Sequence, residues 1–142
     1  MRREELIMTK KKKILVVDDE VDFVDMIKIR LEANGYDVVI ANNGKEAIDR
    51  VRSDKPDAVL LDIMMPEMDG LSVLKQIRSD DERMPVFIIT AFSNEERFKV
   101  AGKLNASGFI IKTQDLGIEI KNMAKVIDIA GKIKEKRDQG IS

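Results

Sequence analysis

Five short apolar runs recur along the chain, and a longer segment with helical periodicity follows each of them. The runs are rich in β-branched residues and uniformly apolar, which indicates strands covered on both faces of a parallel sheet. They cover residues 14–17, 36–41, 58–61, 86–90 and 109–111. The strict alternation of strand and helix predicts an α/β fold, a doubly wound five-stranded parallel sheet with helices on both faces.

The segments between the runs place their apolar residues on one helical face. In the first of them, residues 21–33, these positions recur at helical spacing, and Gly35 suits the left-handed conformation that ends many helices. The other predicted helices are one opened by Asn43 and Gly44, one marked by Leu71 and Leu74, one over about 94–103 capped by Asn94, and a last one over about 115–137.

The last predicted helix carries two apolar stripes. The first has the spacing expected for packing on the sheet and consists of Leu116, Ile120, Met123, Ala124 and Ile127. The second lies on a different face and consists of Ile118, Val126, Ile129 and Ile133. Two interpretations stay open: the helix has a broad core-facing surface, or the second stripe binds a partner protein or a second copy in a homodimer.

The length of the chain, 142 residues, fits one ordinary domain. We assign residues 1–9 to an N-terminal tail, 10–137 to the domain and 138–142 to a C-terminal tail. No apolar run approaches the roughly 18 to 20 residues that span a bilayer, and no export signal is recognisable. We therefore expect a cytoplasmic protein without a membrane partner.

The composition limits the catalytic groups and metal ligands that the chain can provide. The chain has no cysteine and no histidine, which excludes disulfides, thiolate or histidine metal sites, Ser-His-Asp hydrolysis and a phosphohistidine carrier within this chain. Lys and Arg total 25 against 26 Asp and Glu, so no excess of basic residues predicts direct binding to nucleic acid. Acids, bases and metal ligands must be carboxylates, lysines, hydroxyls or backbone groups.

Polar residues follow several of the predicted strands, and in such folds ligands bind beyond the carboxyl ends of the strands. Oxygen ligands of this kind suit Mg²⁺, and a metal with a lysine can supply the charge stabilisation that phosphoryl transfer needs. A carboxylate can itself act as the nucleophile and form an acyl phosphate. The residues at these ends are Asp18, Asp19 and Glu20 after the first strand, then Asp62, Thr90 and Lys112.

Four segments, ILVVDDE, LLDIMMPEMDG, PVFIITA and ASGFIIK, occur in an order and spacing that resemble the receiver domain of two-component response regulators. The resemblance covers about residues 10 to 136. It implies a flavodoxin-like fold with strand order 2-1-3-4-5. It also implies that Asp62 accepts a phosphoryl group from the phosphohistidine of a sensor histidine kinase or a phosphotransfer protein.

The same resemblance implies roles for the surrounding residues. Asp18 and Asp19 would form the acidic pocket of a Mg²⁺ site, in which Asp19, Asp62 and the backbone carbonyl of Met64 hold the ion. The remaining implied roles are phosphate pairing for Lys112, a hydrogen bond to the phosphate from Thr90, an aromatic rotamer switch for Phe109, and a tight bend away from the site at Pro66 and Gly70.

One position departs from the family pattern. Thr113 follows Lys112 where the family usually has proline, often with a cis peptide bond. A cis bond before a residue other than proline costs about 2.5 to 4 kcal/mol, so we predict a trans linkage. We expect Lys112 to be correctly placed but held less rigidly.

These features predict a phosphoacceptor that controls a downstream protein target. It would not be an enzyme beyond promoting its own phosphorylation and dephosphorylation. One alternative is a phosphatase with an aspartyl nucleophile on a related sheet, although such enzymes usually place two aspartates two residues apart, whereas Asp18 and Asp19 are adjacent. A second alternative is a receiver-like interaction module that works without phosphorylation.

Overall fold

The computed structural model describes residues 11–65, 69–91, 95–112, 115–138 and 140. Several predictions fall outside these ranges. They concern the tail at residues 1–9, the bend at Pro66, the cap at Asn94, the linkage at Thr113 and most of the C-terminal tail.

The described chain forms five strands that alternate with five helices, as predicted. The strands are β1 (Lys13–Val17), β2 (Asp37–Ala41), β3 (Ala58–Asp62), β4 (Val86–Thr90) and β5 (Gly108–Ile111). The helices are α1 (Val21–Ala33), α2 (Gly44–Asp54), α3 (Gly70–Asp80), α4 (Glu95–Lys103) and α5 (Leu116–Asp138). All neighbouring strands pair in parallel in the order β2-β1-β3-β4-β5, which confirms the flavodoxin-like topology.

Successive side chains of each strand enter opposite cores, because the side-chain period of a strand is two. In β1, Ile14 and Val16 pack with α1 and α5, whereas Leu15 and Val17 pack with α2, α3 and α4. Strands β1, β3 and β4 are buried on both faces, apart from the half-buried Lys13 at the start of β1, but β2 and β5 lie at the sheet edges and are partly exposed. The prediction that every strand is buried on both faces therefore holds only for the central strands.

Local signals end α1 and begin α2 as expected. Gly35 adopts a φ of 89°, and its N–H donates to the carbonyl of Glu32 at 3.0 Å, which ends α1. The side chain of Asn43 accepts a hydrogen bond from the N–H of Glu46 at 2.9 Å and caps α2. The turn at Gly35 therefore determines where β2 can begin, and the cap at Asn43 determines where α2 begins.

Helix α5 separates its two apolar stripes. Leu116, Ile120, Met123 and Ile127 are buried against the sheet, and Ala124 is partly buried. The second stripe faces away from the core, with exposed fractions from 36% to 59%, so the broad core-facing interpretation is wrong. None of the helices in the described part of the chain, α5 included, is long and apolar enough to cross a membrane.

Candidate functional site

The strand register brings the predicted site residues to one edge of the sheet. Leu61 pairs with Val17 and Asp62 with Ile89, while Thr90 pairs with Ile111. The residues next in sequence after these paired positions therefore lie beside one another at the carboxyl ends of neighbouring strands. Asp18, Asp62, Thr90 and Lys112 come together at this edge, as the sequence predicted.

Lys112 lies among three carboxylates. Its Nζ is 2.8 Å from Oδ2 of Asp18, 2.8 Å from Oε2 of Glu20 and 3.5 Å from Oδ2 of Asp62. The ammonium also lies 4.5 Å from the ring centroid of Phe23, a cation–π contact. The sequence analysis placed Glu20 at this edge but paired neither Glu20 nor Phe23 with Lys112, because nothing local shows that these residues meet.

These contacts determine the charge of Lys112. Burial alone would lower its pKa, but the hydrogen bonds to Asp18 and Glu20 and the nearby charge of Asp62 outweigh burial, and its pKa is raised. Lys112 therefore stays cationic at neutral pH and offsets part of the negative charge at the sheet edge.

Asp62 is a buried carboxyl group at the end of β3. Its Oδ1 accepts a hydrogen bond of 2.8 Å from the N–H of Met64. The pKa of Asp62 is raised from 3.8 to about 6, because burial and the charge of Asp18 raise it by more than the Met64 N–H and Lys112 lower it. At pH 7 the group is mostly an anion, but one that a nearby cation would stabilise strongly.

The acidic residues fit a hard divalent cation. One carboxylate oxygen from each of Asp18, Asp19 and Asp62 lies within 4.8 Å of the other two, with Asp18 and Asp62 buried and Asp19 exposed. Oxygen donors with one solvent-exposed side match Mg²⁺, which keeps several of its waters. The carbonyl of Met64 stays a predicted ligand, and the N–H of the same residue bonds Asp62.

Thr90 and Phe109 lie on the neighbouring strands β4 and β5 beside the site. Thr90 is buried, and its carbonyl accepts the N–H of Lys112 at 2.8 Å. Phe109 is 38% exposed on the edge strand β5, and its ring packs against Phe98 of α4 with centroids 5.0 Å apart. The aromatic residue therefore contacts a helix that follows the end of β4.

The loop after Asp62 folds back onto the strand it leaves. Met64 and Asp69 form an isolated antiparallel bridge, and the side chain of Asp69 accepts the N–H of Leu71 at 3.0 Å to cap α3. A Cβ atom on Gly70 would lie 2.5 Å from the carbonyl oxygen of Asp62 and closer still to Cα of Ile63. Only glycine allows this approach, which explains the bend predicted at Gly70.

Comparison with known proteins places this geometry in a family. Residues 14–124 match the family described as response regulator receiver domain. The chain is 37% identical over 131 residues to the alkaline phosphatase synthesis transcriptional regulatory protein PhoP of Bacillus subtilis, covering 89% of this chain and 54% of PhoP. It is 47% identical over 79 residues to the response regulator MprA of Mycolicibacterium vanbaalenii, covering 56% of this chain and 34% of MprA. The chain thus spans about half or less of these relatives.

Solved structures show the same fold. A CheY-like response regulator receiver domain protein from Methanospirillum hungatei superposes with a TM-score of 0.82 at 25% identity, covering 87% of this chain and 98% of that one. The BeF3-activated N-terminal receiver domain of RstA from Klebsiella pneumoniae gives 0.77 at 27% identity, with coverages of 82% and 98%. The described fold therefore corresponds to nearly the whole of each of these domains.

Proposed function

Because this chain belongs to the response regulator receiver domain family of two-component systems, we propose that Asp62 accepts a phosphoryl group from a sensor histidine kinase or a phosphotransfer protein. The observation that carries the proposal is a buried carboxylate beside Lys112 and within reach of two further carboxylates. Such a carboxylate is poorly solvated, which favours its attack as a nucleophile, and Lys112 can offset the charge of the acyl phosphate that forms.

The transfer step follows from this arrangement. An oxygen of the Asp62 carboxylate attacks the phosphorus of a phosphohistidine and forms the O–P bond of an acyl phosphate. The P–N bond breaks, and its electron pair stays on the imidazole nitrogen, which binds a proton from solvent. Lys112 offsets the charge on the phosphoryl oxygens, since it already lies 3.5 Å from Asp62.

Magnesium has a defined place in this proposal. Asp18, Asp19, Asp62 and the Met64 carbonyl would hold Mg²⁺, which supplies charge neutralisation for the incoming phosphoryl group. Hydrolysis of the acyl phosphate by water returns Asp62 to its free form. The chain would act on no substrate other than its own aspartate.

The phosphorylated state would reach partners through α4 and β5. The hydroxyl of Thr90 would bond the phosphoryl group, and Phe109 would change rotamer as the end of β4 moves. Phe109 already packs on Phe98 of α4, so its movement changes that helix surface. We propose that this surface controls a downstream protein target in the cytoplasm, with no direct contact to nucleic acid or a membrane by the described residues.

Phosphoryl mapping tests the acceptor. After incubation of the chain with MgCl₂ and acetyl phosphate, we expect one hydroxylamine-labile phosphoryl group, trapped with borohydride and located at Asp62 by peptide mass spectrometry. The same incubation with EDTA in place of MgCl₂ is the control and should give little modification. Absence of the phosphoryl group would favour the phosphorylation-independent interaction module. Turnover of a small phosphomonoester would favour the phosphatase.

The exposed stripe on α5 is the surface we propose for a homodimer or another protein partner. We expect the chain treated with beryllofluoride to elute at a larger size in light-scattering chromatography, and the double variant Ile129→Asp, Ile133→Asp to stay monomeric. Ile29→Asp is the matched control, because Ile29 is 69% exposed on α1, outside this stripe. A monomer under all conditions would contradict the homodimer, and a dimer that the double variant retains would show that this stripe does not form its interface.

A further inference from the structure

Arg97 of α4 contacts the loop after Asp62 at two points. Its Nη2 donates a hydrogen bond of 2.9 Å to the carbonyl oxygen of Ile63, and the same nitrogen pairs with Oδ1 of Asp69. Ile63 directly follows the acceptor, and Asp69 caps α3. One guanidinium therefore joins α4 to both ends of the described β3–α3 connection.

The carbonyl that Arg97 binds belongs to a functional peptide group. The carbonyl of Ile63 and the N–H of Met64 are the two ends of one planar peptide unit. That N–H donates to Oδ1 of Asp62 at 2.8 Å. Since the unit rotates as a plane, a cation that holds its oxygen also fixes the direction of its N–H. A charge on the oxygen further polarises the unit and strengthens the donor.

The burial of Arg97 separates this contact from an ordinary surface ion pair. The side chain of Arg97 is 28% exposed, and Ile63 is buried. Arg52 and Asp80 form an ion pair of 3.0 Å in which Arg52 is 57% exposed and no backbone group takes part. A solvated pair of that type contributes little to stability or position, so it provides a matched comparison.

The position of Arg97 in α4 adds a connection to the switch residues. The next residue, Phe98, packs on Phe109 with centroids 5.0 Å apart. Helix α4 thus contacts the Ile63–Met64 peptide through Arg97 and Phe109 of β5 through Phe98. A displacement of α4 would reach the peptide beside Asp62 directly.

We propose that Arg97 is a positioning residue that orients the Ile63–Met64 peptide, and through it the acceptor carboxylate and the adjoining Mg²⁺ ligands. The role rests on the function proposed above. It acts through the backbone, because the Ile63 carbonyl that Arg97 bonds shares one peptide unit with the Met64 N–H that Asp62 accepts. This role of Arg97 also makes the Mg²⁺ affinity depend on the position of α4 relative to the sheet.

Magnesium titration of the unphosphorylated chain, followed by amide NMR, tests this role. For Arg97→Gln we expect about tenfold weaker Mg²⁺ binding, as is typical when an outer-shell partner of a metal site is lost. We also expect the Met64 amide resonance to move and its hydrogen exchange to accelerate. Arg97→Lys keeps a cation on a shorter side chain, so its Mg²⁺ affinity and its Met64 amide shift should lie between those of Arg97→Gln and the wild type.

Two further variants control the result. Arg52→Gln should leave the Mg²⁺ affinity and the Met64 amide unchanged. Asp69→Asn keeps a helix cap but removes the ion pair, so it should leave the Met64 amide close to its wild-type position. Should Arg97→Gln fail to fold, the comparison of Arg97→Lys with Arg52→Gln decides the matter by the same two measurements.

The outcomes separate this inference from the proposed function. Wild-type Mg²⁺ affinity and an unmoved Met64 amide in Arg97→Gln would overturn the positioning role even if Asp62 is phosphorylated normally. Equal loss of affinity in Arg97→Gln and Arg52→Gln would overturn it as well. Conversely, failure to phosphorylate the wild type would reject the proposed function, and a displaced Met64 amide in Arg97→Gln would still support the role of Arg97 in the metal site.

Discussion

Replacing Asp62 with asparagine is expected to abolish phosphorylation and, without metal at neutral pH, to make the fold more stable. The amide has no nucleophilic oxygen with which to form an acyl phosphate. It keeps the size of the side chain and an oxygen that can accept the 2.8 Å hydrogen bond from Met64. It removes an anion that is buried beside the carboxylate of Asp18.

The gain in stability has a definite pH dependence. The pKa of Asp62 is raised from 3.8 to about 6 by burial and by Asp18. Well below pH 3.8 the group is protonated in both folded and unfolded chains, so its ionisation costs the fold nothing. Between pH 4 and 6 the unfolded chain releases its proton first, and the wild type loses stability as the pH rises. Well above pH 6 the penalty is complete, and a rise in pKa from 3.8 to about 6 corresponds to about 3 kcal/mol at most.

Urea unfolding in EDTA at pH 4 and pH 7.5 measures this difference. We expect Asp62→Asn to lie close to the wild type in free energy of unfolding at pH 4 and to exceed it clearly at pH 7.5. Asp25→Asn, an exposed change on α1, controls for the loss of one negative charge and should change little. A variant that is less stable than the wild type at pH 7.5, or that still takes a phosphoryl group, would contradict the role given to Asp62.

Replacing Gly70 with alanine is expected to destabilise the fold by about 3 kcal/mol, the upper part of the range for overpacking. The new Cβ would lie 2.5 Å from the carbonyl oxygen of Asp62, and backbone atoms cannot move aside as a flexible side chain can. Helix propensity alone predicts the opposite sign, since alanine in a helix is favoured over glycine by about 1 kcal/mol. The sign of the measured effect therefore decides between packing and propensity.

Gly102→Ala is the matched control for this substitution. Gly102 lies in α4, and a Cβ atom there would meet nothing within 4 Å. We expect Gly102→Ala to be neutral or slightly stabilising in urea unfolding, and Gly70→Ala also to lose Mg²⁺ affinity because the Asp62–Ile63 backbone shifts. Equal stabilities for the two alanine variants would show that the loop tolerates the added methyl group.

The sequence determined most of the fold and the composition of the site. Apolar runs and helical spacing depend on local backbone geometry, so they predicted the alternation of strands and helices and the ends at Gly35 and Asn43. Parallel strands bring their carboxyl ends to one edge, so Asp18, Asp62 and Lys112 could be grouped before any contact was known.

Only the tertiary structure decided which side chains meet across the strand ends. Lys112 and Glu20 are 92 residues apart, and Arg97 reaches Ile63 across 34 residues. Such contacts depend on how each helix is seated on the sheet and on how far long side chains extend, and neither quantity has a local sequence signal.

The same limit applies to the surfaces and to the glycine of the loop. Periodicity showed two apolar stripes on the last helix, but only the packing of that helix on the sheet decided that the stripe with Ile129 and Ile133 stays exposed. The family resemblance implied a bend at Gly70, whereas the approach of its Cα to the Asp62 backbone came from the fold. Local geometry thus determined the elements, and packing between distant segments determined how the site is held.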